Sequence, residues 1–572
     1  MAGRSRPRAR ASERYLPLAY FALAILVVAL VLPSALRPPA QQSNQSAELS
    51  PNAPKQQTQS IISALSVANS GTQGAGVGTG PGSAPGNGAP VEAVSLPKQA
   101  PRACPNGYGN PPRQVASVYA APCATAWSGN NGGATAPGVT ASTVGVALLG
   151  ESAEGQAQSA GPIPSQPSPT MTAATRTYVD LQAYFNRNFQ FYGRSMQLYE
   201  TRAANSENGQ ITAADAAADT YHAFAGFAHD PSGVRELARR GLAAWASFDM
   251  AYSWLAGSEA YMWNMDGLLK QKLAAEFLCK KIVGKPPQYN EHQDPNFNYS
   301  KPRILGLIYY DTDGWTDPPT TIESALKADC GAEFKVTVGY DIQPGAGQSQ
   351  GASNISTAIA KLRAGGVTTV AYLGEYVSLA AFTNSASSQG YFPEWFTPGV
   401  GLTDINADAQ DEDPAQWRHA FGFSAWEIPE PQASNECYKA VASVDPGFNP
   451  DANVCGQYTW PTLLEIANGI QMAGPHLTSA AFRQGLYKMG FKEPSPAWSM
   501  GGGFGPGIYS WAKYVAEIWW NPNAVDPKTG NPGGAYCYDY GGQRFQLGQF
   551  TTDTSQLFNA KDCVTTVPYG AQ

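Results

Sequence analysis

Apolar runs and amphipathic stretches alternate between Pro302 and Gly399. Ile304 to Tyr310 is an unbroken apolar run, and after it Ile322, Ala325 and Leu326 share one face of a segment that stops at Gly331. Phe334-Lys335-Val336-Thr337-Val338 follows, then Ile355, Ile359 and Leu362 on one helical face, closed by Gly365-Gly366. Val367 to Leu373 is a further run, and Leu379, Phe382 and Ala386 line the next face, ended by Gly390. The pattern predicts strand and helix in alternation, with helices about a dozen residues long, which requires right-handed crossovers and a parallel sheet. Ligands of such sheets collect at the carboxyl ends of the strands.

The earlier part of the chain repeats the pattern. Val144 to Leu149 reads as a buried strand, followed after a Pro/Ser-rich loop by a helix with Tyr178, Leu181, Phe185 and Phe189 on one face. Met196 to Tyr199 is the next strand, Val234 to Arg240 a short helix, Leu242 to Phe248 a strand, and Ala260 to Ile282 one long helix. Pro286 to Pro302 is a linker. Later, Thr462 to Met472 and Ser479 to Met489 read as helices, and Tyr514 to Phe550 as short aromatic strands broken by Gly and Pro. Roughly 470 residues exceed one ordinary core, so two similar α/β lobes joined by extended crossings are expected.

The first hundred residues differ in kind. Arg4, Arg6, Arg8, Arg10 and Arg14 precede a charge-free apolar stretch from Leu16 to Leu36. About twenty such residues suffice to cross a bilayer, and a cleaved signal peptide has a shorter apolar region and a better cleavage site than Pro33-Ser34-Ala35. The expectation is a basic cytoplasmic tail (1–14), a transmembrane anchor (15–36), a flexible Gly/Pro/Ser/Gln-rich tether (37–103) and a folded body outside the cytoplasm (104–572). The cysteines agree with export. All eight lie between Cys104 and Cys563. Sequence order pairs Cys104 with Cys123, Cys279 with Cys330, Cys437 with Cys455, and Cys537 with Cys563; unpaired core thiols are the alternative. With no C-x-x-C and only five histidines, neither a metal nor another cofactor is indicated. Charged residues are 14 % of the chain and the net charge is -7. A nucleic-acid partner needs a basic stripe, which is missing.

Several local patterns, in order, resemble the type 1 periplasmic binding proteins, the leucine/isoleucine/valine-binding-like substrate-binding family of ABC transporters. They are Gly138 to Val146 into the first strand, Tyr192-Gly193-Arg194-Ser195-Met196-Gln197-Leu198, Ile308 to Gly314, the helix from Ile355 to Gly366, and Gly390-Tyr391-Phe392-Pro393-Glu394-Trp395. The resemblance covers roughly 138–520 and implies two Rossmann-like lobes with a ligand cleft between them. Lobe 1 would span about 138–290 and 428–505, lobe 2 about 300–427 and 506–550. Carried over by position, the ligand-binding candidates are Ser232, Phe248 and Asp249 on one side, and Trp315, Glu375, Tyr376, Thr403 and Asp404 on the other. Ser232 in Asp230-Pro231-Ser232-Gly233 sits at a helix start, where a hydroxyl and free N–H groups suit a ligand carboxylate; a plain N-cap is the competing reading. An acidic group such as Asp404 suits an ammonium, or is a solvated loop charge. Trp315 and Tyr376 offer stacking area, or fill a lobe surface.

Enzyme signatures fail in context. Gly347-Gln348-Ser349-Gln350-Gly351 matches G-x-S-x-G, but Pro344, Gly345 and Gly347 precede the serine in a loop and the helix is expected only near Asn354. His222 and His229 are too far apart in sequence for a helix-face metal pair. Two classes stay open: an anchored solute-binding protein closing on a small polar or amphipathic molecule, amino acids among the candidates, with an ABC permease as partner; or an envelope sensor or interaction protein that keeps the fold without transport.

Overall fold

The computed structural model describes residues 104, 108–152, 160–204, 206–288, 294, 297–341, 348–495 and 498–566. The expected tail, anchor and tether all lie outside the described residues. Among those described, no helix is long and apolar enough to cross a membrane.

The first lobe is built on β1 (Thr143–Ser152), β2 (Ala160–Pro162), β3 (Ser195–Ala204), β4 (Ala225–Ala228), β5 (Ala243–Ala246) and β6 (Tyr261–Met262), in the order β2-β3-β1-β4-β5-β6. All but the edge strand β2 run parallel. Between them lie α1 (Ala173–Asn188), α2 (Glu207–Asp219), α3 (Pro231–Arg239) and α4 (Tyr252–Ser258). The Gly-Arg turn before β3 is held from within. Arg194 donates to the carbonyls of Thr140 (2.7 Å), Pro475 (2.8 Å) and Asn131 (2.6 Å), which fixes its guanidinium among backbone acceptors.

Where one long helix from Ala260 was expected, the structure has β6, a short crossing from Trp263 to Asp266, and α5 (Gly267–Phe277) extended by a π-helical turn, Leu278–Ile282. Asp266 caps α5 by accepting from Leu269 N (2.9 Å). Apolar residues in the crossing kept the helical pattern going in the sequence. They are apolar because Trp263 is stacked on Trp511 (4.5 Å) with Tyr119 edge-on (4.8 Å), an aromatic cluster between chain crossings. α5 belongs to the second lobe, not the first: Phe277 stacks on Phe396 of that lobe's sheet (5.2 Å).

The second lobe continues with β7 (Leu305–Tyr310), α6 (Thr320–Cys330), β8 (Val336–Tyr340), α7 (Gln348–Ala364), β9 (Thr369–Leu373), α8 (Tyr376–Ser388), β10 (Glu394–Thr397), the short α9 (Asn406–Ala409) and α10 (Pro414–Trp417), and β11 (Ala420–Ser424). α7 begins at Gln348, earlier than Asn354, so Ser349 lies in a helical first turn. The chain then returns to the first lobe with α11 (Glu436–Ala442), α12 (Thr459–Ala473) and α13 (Ser479–Lys488). Trp460 packs on Phe185 (5.4 Å) and Phe482 on Phe224 (5.5 Å). A last crossing leads to β12 (Val515–Asn521), β13 (Ala535–Tyr538) and β14 (Arg544–Phe545). The second sheet is β13-β12-β11-β10-β9-β7-β8 with β14 beside β12; β7 to β11 are parallel and the aromatic C-terminal strands antiparallel.

Four disulfides join Cys104 to Cys123, Cys279 to Cys330, Cys437 to Cys455 and Cys537 to Cys563, the sequence-order pairs. The second ties the end of α5 to α6, and the fourth ties β13 to the C-terminal segment. Closing such loops is worth on the order of 2–4 kcal/mol each.

Candidate functional site

The carboxyl ends of the two sheets face each other, and a cavity of about 210 Å³ lies between them. The first lobe and the return segment contribute Phe248, just past β5, and Tyr458, at the start of α12; the second lobe contributes Tyr376, Leu402 and Asp404. The crossing after β11 adds Trp426 and Glu427, and the C-terminal segment adds Asp526 and Lys528. A smaller cavity shares Asn453 and Tyr458 with it and reaches His229 and the ends of β1 and β4. Phe248 packs on Tyr458 (4.9 Å) and on His229 (4.9 Å), forming the aromatic wall of the first side. Burial lowers the His229 imidazole to about 4, so it is neutral at physiological pH.

Asp404 is 3 % exposed, and neither carboxylate oxygen has a hydrogen-bond partner. Burial pushes it up to about 7, against the pull of Lys270 and of the Ser424 hydroxyl, which is close enough to act on the charge without the geometry of a hydrogen bond. Asp408 is pushed to about 8 by burial first and then by Asp411 and Asp404. Burial also raises Glu427 and lowers the Lys528 ammonium, which sits among Asp526, Asp408, Glu430 and Glu427. The cavity is therefore aromatic on one side and acidic on the other.

The remaining candidates are committed elsewhere. Asp249 reaches from the first lobe into the second: one oxygen pairs with the Lys270 ammonium, and the other accepts from Gly401 N. Lys270 also donates to the Gly399 carbonyl, and both side chains of the pair are almost fully buried. Nearby, Ala251 N donates to Gly314 O (2.8 Å) and Tyr252 N to Asp317 Oδ2 (2.8 Å), again lobe to lobe. The loop after β10 makes this possible through glycine. Gly399 and Gly401 have φ of +68° and +58°, and a Cβ on Gly401 would stand 2.4 Å from Glu375 Cα.

Ser232 is not the N-cap and does not reach the cavity. Asp230 is the cap, accepting from Ser232 N (2.8 Å) and from the Ser232 hydroxyl, and Ser232 lines a separate cavity with Arg235 and Trp254. The helix start expected to receive a ligand carboxylate thus already holds one. Glu375 plays the same part for α8, with Ser378 N 3.1 Å from both its oxygens and Tyr340 OH donating to it. Thr403 is buried, its hydroxyl bonded to that of Thr397 and donating to Val400 O (2.9 Å). Trp315 stands against Phe248 (6.5 Å) and Tyr310 (6.2 Å) and is not part of the lining. Of the sequence candidates the structure brings Phe248, Tyr376 and Asp404 together. Tyr458 and Lys528 come from later segments that no spacing in the sequence connects to these strand ends, whereas Asp408 follows Asp404 in the short α9 and Trp426 lies just past the carboxyl end of β11, both within reach of strand-end reasoning. Among the described residues no group of acidic, His or Cys side chains could hold a metal ion.

No family model matches the sequence, and no curated protein does. Solved structures similar in fold include a fatty acid ABC transporter substrate-binding protein from Thermomonospora curvata, 13 % identical over 76 % of this chain and 98 % of its own, TM-score 0.46. A leucine-binding protein LivK from Thermotoga maritima is 10 % identical over 69 % of this chain and 97 % of its own, TM-score 0.46. An ABC transporter solute-binding protein from R. palustris in complex with 4-hydroxybenzoate is 9 % identical over 71 % and 97 %, TM-score 0.46.

Proposed function

We propose that this chain is an extracytoplasmic solute-binding protein of the type 1 periplasmic-binding class, held to the membrane by its N-terminal segment, which captures a small polar or amphipathic molecule between two lobes for an ABC-type uptake system. The observation that carries the reading is the cavity at the carboxyl ends of the parallel strands of two sheets, lined from both lobes and containing a buried carboxylate without a partner. Contacts from both lobes favour the closed arrangement, so a guest stabilises closure by its differential affinity for that state. The paired cysteines support an oxidising compartment, and the arginines beside the apolar stretch support the orientation.

The test is a thermal-shift screen of the full-length protein against amino acids, amides, amines and small carboxylates, followed by titration of any hit. Tyr376→Ala should weaken that hit by about 1–3 kcal/mol, because an aromatic anchor in a closed pocket carries binding out of proportion to its area. No hit in the screen, or a hit that Tyr376→Ala binds unchanged, sinks solute capture in this cavity and favours the sensor or interaction alternative.

A further inference from the structure

We propose that the guest of this cavity is an organic cation, an ammonium or guanidinium group carried on an apolar or aromatic body; the inference rests on the solute-capture reading and narrows it. The lining contains four carboxylates, Asp404, Asp408, Glu427 and Asp526, against one cationic side chain, Lys528. Three of these groups already have partners. Glu427 is hydrogen-bonded to the Tyr119 hydroxyl. Asp526 accepts from Asn406 Nδ2 (2.8 Å) and the Thr529 hydroxyl (2.6 Å), and Lys528 Nζ donates to Gln457 (3.4 Å). Asp404 has none, although it is 3 % exposed. An isolated buried carboxylate is costly: it takes up a proton or meets a counter-charge, and at a cavity wall that counter-charge can arrive with a ligand.

The nearest cation of the chain does not answer it. Lys270 is spent on Asp249 and on the Gly399 carbonyl, so Asp249, Asp404 and Lys270 together carry one uncompensated negative charge when all are ionised. A ligand anion fares badly at both helix starts that flank the cleft, since Asp230 and Glu375 occupy their amide donors. The unpartnered Trp426 Nε1 adds one neutral donor, suited to a hydroxyl or ether on the guest, and no positive charge. Phe248, Tyr376, Trp426 and Tyr458 present aromatic surface of the kind that attracts ammonium groups and covers apolar bodies. About 210 Å³ is also far more room than a bare ion needs, a water's share of liquid being roughly 30 Å³.

The experiment compares three probes of one shape on the full-length protein: 2-phenylethylammonium, 3-phenylpropionate and 2-phenylethanol, with calcium chloride as a fourth arm. Melting temperature and titration calorimetry are read at pH 8 and moderate salt. The cation should raise the melting temperature and bind at least tenfold more tightly than the alcohol, with no binding of the carboxylate. Asp404→Asn should lose tenfold or more in cation affinity while melting no lower than the parent in buffer alone, which separates lost recognition from lost folding. Stabilisation by the carboxylate, the alcohol or calcium alone, or full affinity in Asp404→Asn, overturns the cation class and leaves solute capture standing. Silence of all four, with a hit of another charge class in the wider screen, overturns the cation class in the same way. Silence in both overturns both readings.

Discussion

Two buried carboxylates from facing lobes, Asp249 and Asp404, stand on either side of Lys270 and have opposite fates. Asp249 has its ammonium and an amide, across the lobe boundary, and is fully committed. Asp404 belongs to the same lobe as Lys270, lines the cavity, and has no hydrogen bond. Each was a reasonable ligand contact by its place at a strand end. Position at a strand end thus selects a neighbourhood, while the accounting of donors and acceptors decides between a contact that shapes the protein and one that waits for a partner.

The largest way to break this contrast is Lys270→Met. It strands Asp249 as an unpaired buried charge and should cost about 3–5 kcal/mol in urea unfolding. Adding Asp249→Asn should recover much of that loss, because contacting groups are not additive. A single variant that loses under about 1 kcal/mol would show that the pair is solvated and that the contrast fails.

Asp404→Asn should act with the opposite sign. The unfolded carboxyl ionises near the ordinary 3.8 and the folded one near 7. The folded protein therefore holds an extra proton between those values, and stability falls as pH rises through that window. Lys270, Asp249 and the neighbouring Asp408 are the charges that act on this group or feel it. The asparagine variant should gain on the order of 2 kcal/mol at pH 8 and show a shallower loss of stability between pH 4 and 7. A variant less stable than the parent at pH 8 would mean that Asp404 is satisfied.

The smallest effect is expected at Ser232. Its hydroxyl serves Asp230 outside the cavity, so Ser232→Ala should change stability by no more than about 0.5 kcal/mol and leave binding of any identified guest unaltered. A tenfold loss of affinity would return it to the site.

The alternation of runs and faces made the second lobe legible. The runs at Ile304 and Val367 became β7 and β9 within two residues, because strands buried on both faces leave no polar position to confuse the period. The same apolar continuity makes the chain from Ala260 to Ile282 look like one long helix, because buried tryptophan in a crossing has the pattern of a helix interior. Ser232 and Glu375 show a second limit. A residue at a helix start is visible in sequence, but whether its N–H groups are free depends on which neighbour folds back, and Asp230 and Glu375 themselves do so. Tyr458 and Lys528 are beyond reach, since return crossings bring them to the strand ends and nothing local marks them, whereas Trp426, just past the end of β11, is marked by the same strand-end rule once 420–424 is read as a strand.

The Asp249–Lys270 pair has a kinetic side. Parting the lobes must separate these charges and free the Gly401 amide while they are still shielded from water. That cost falls on the opening step and hardly touches the encounter of guest with an open cleft. On the proposed solute-capture reading, the pair lengthens the residence time of the guest, and tuning it by mutation should move the off-rate more than the on-rate.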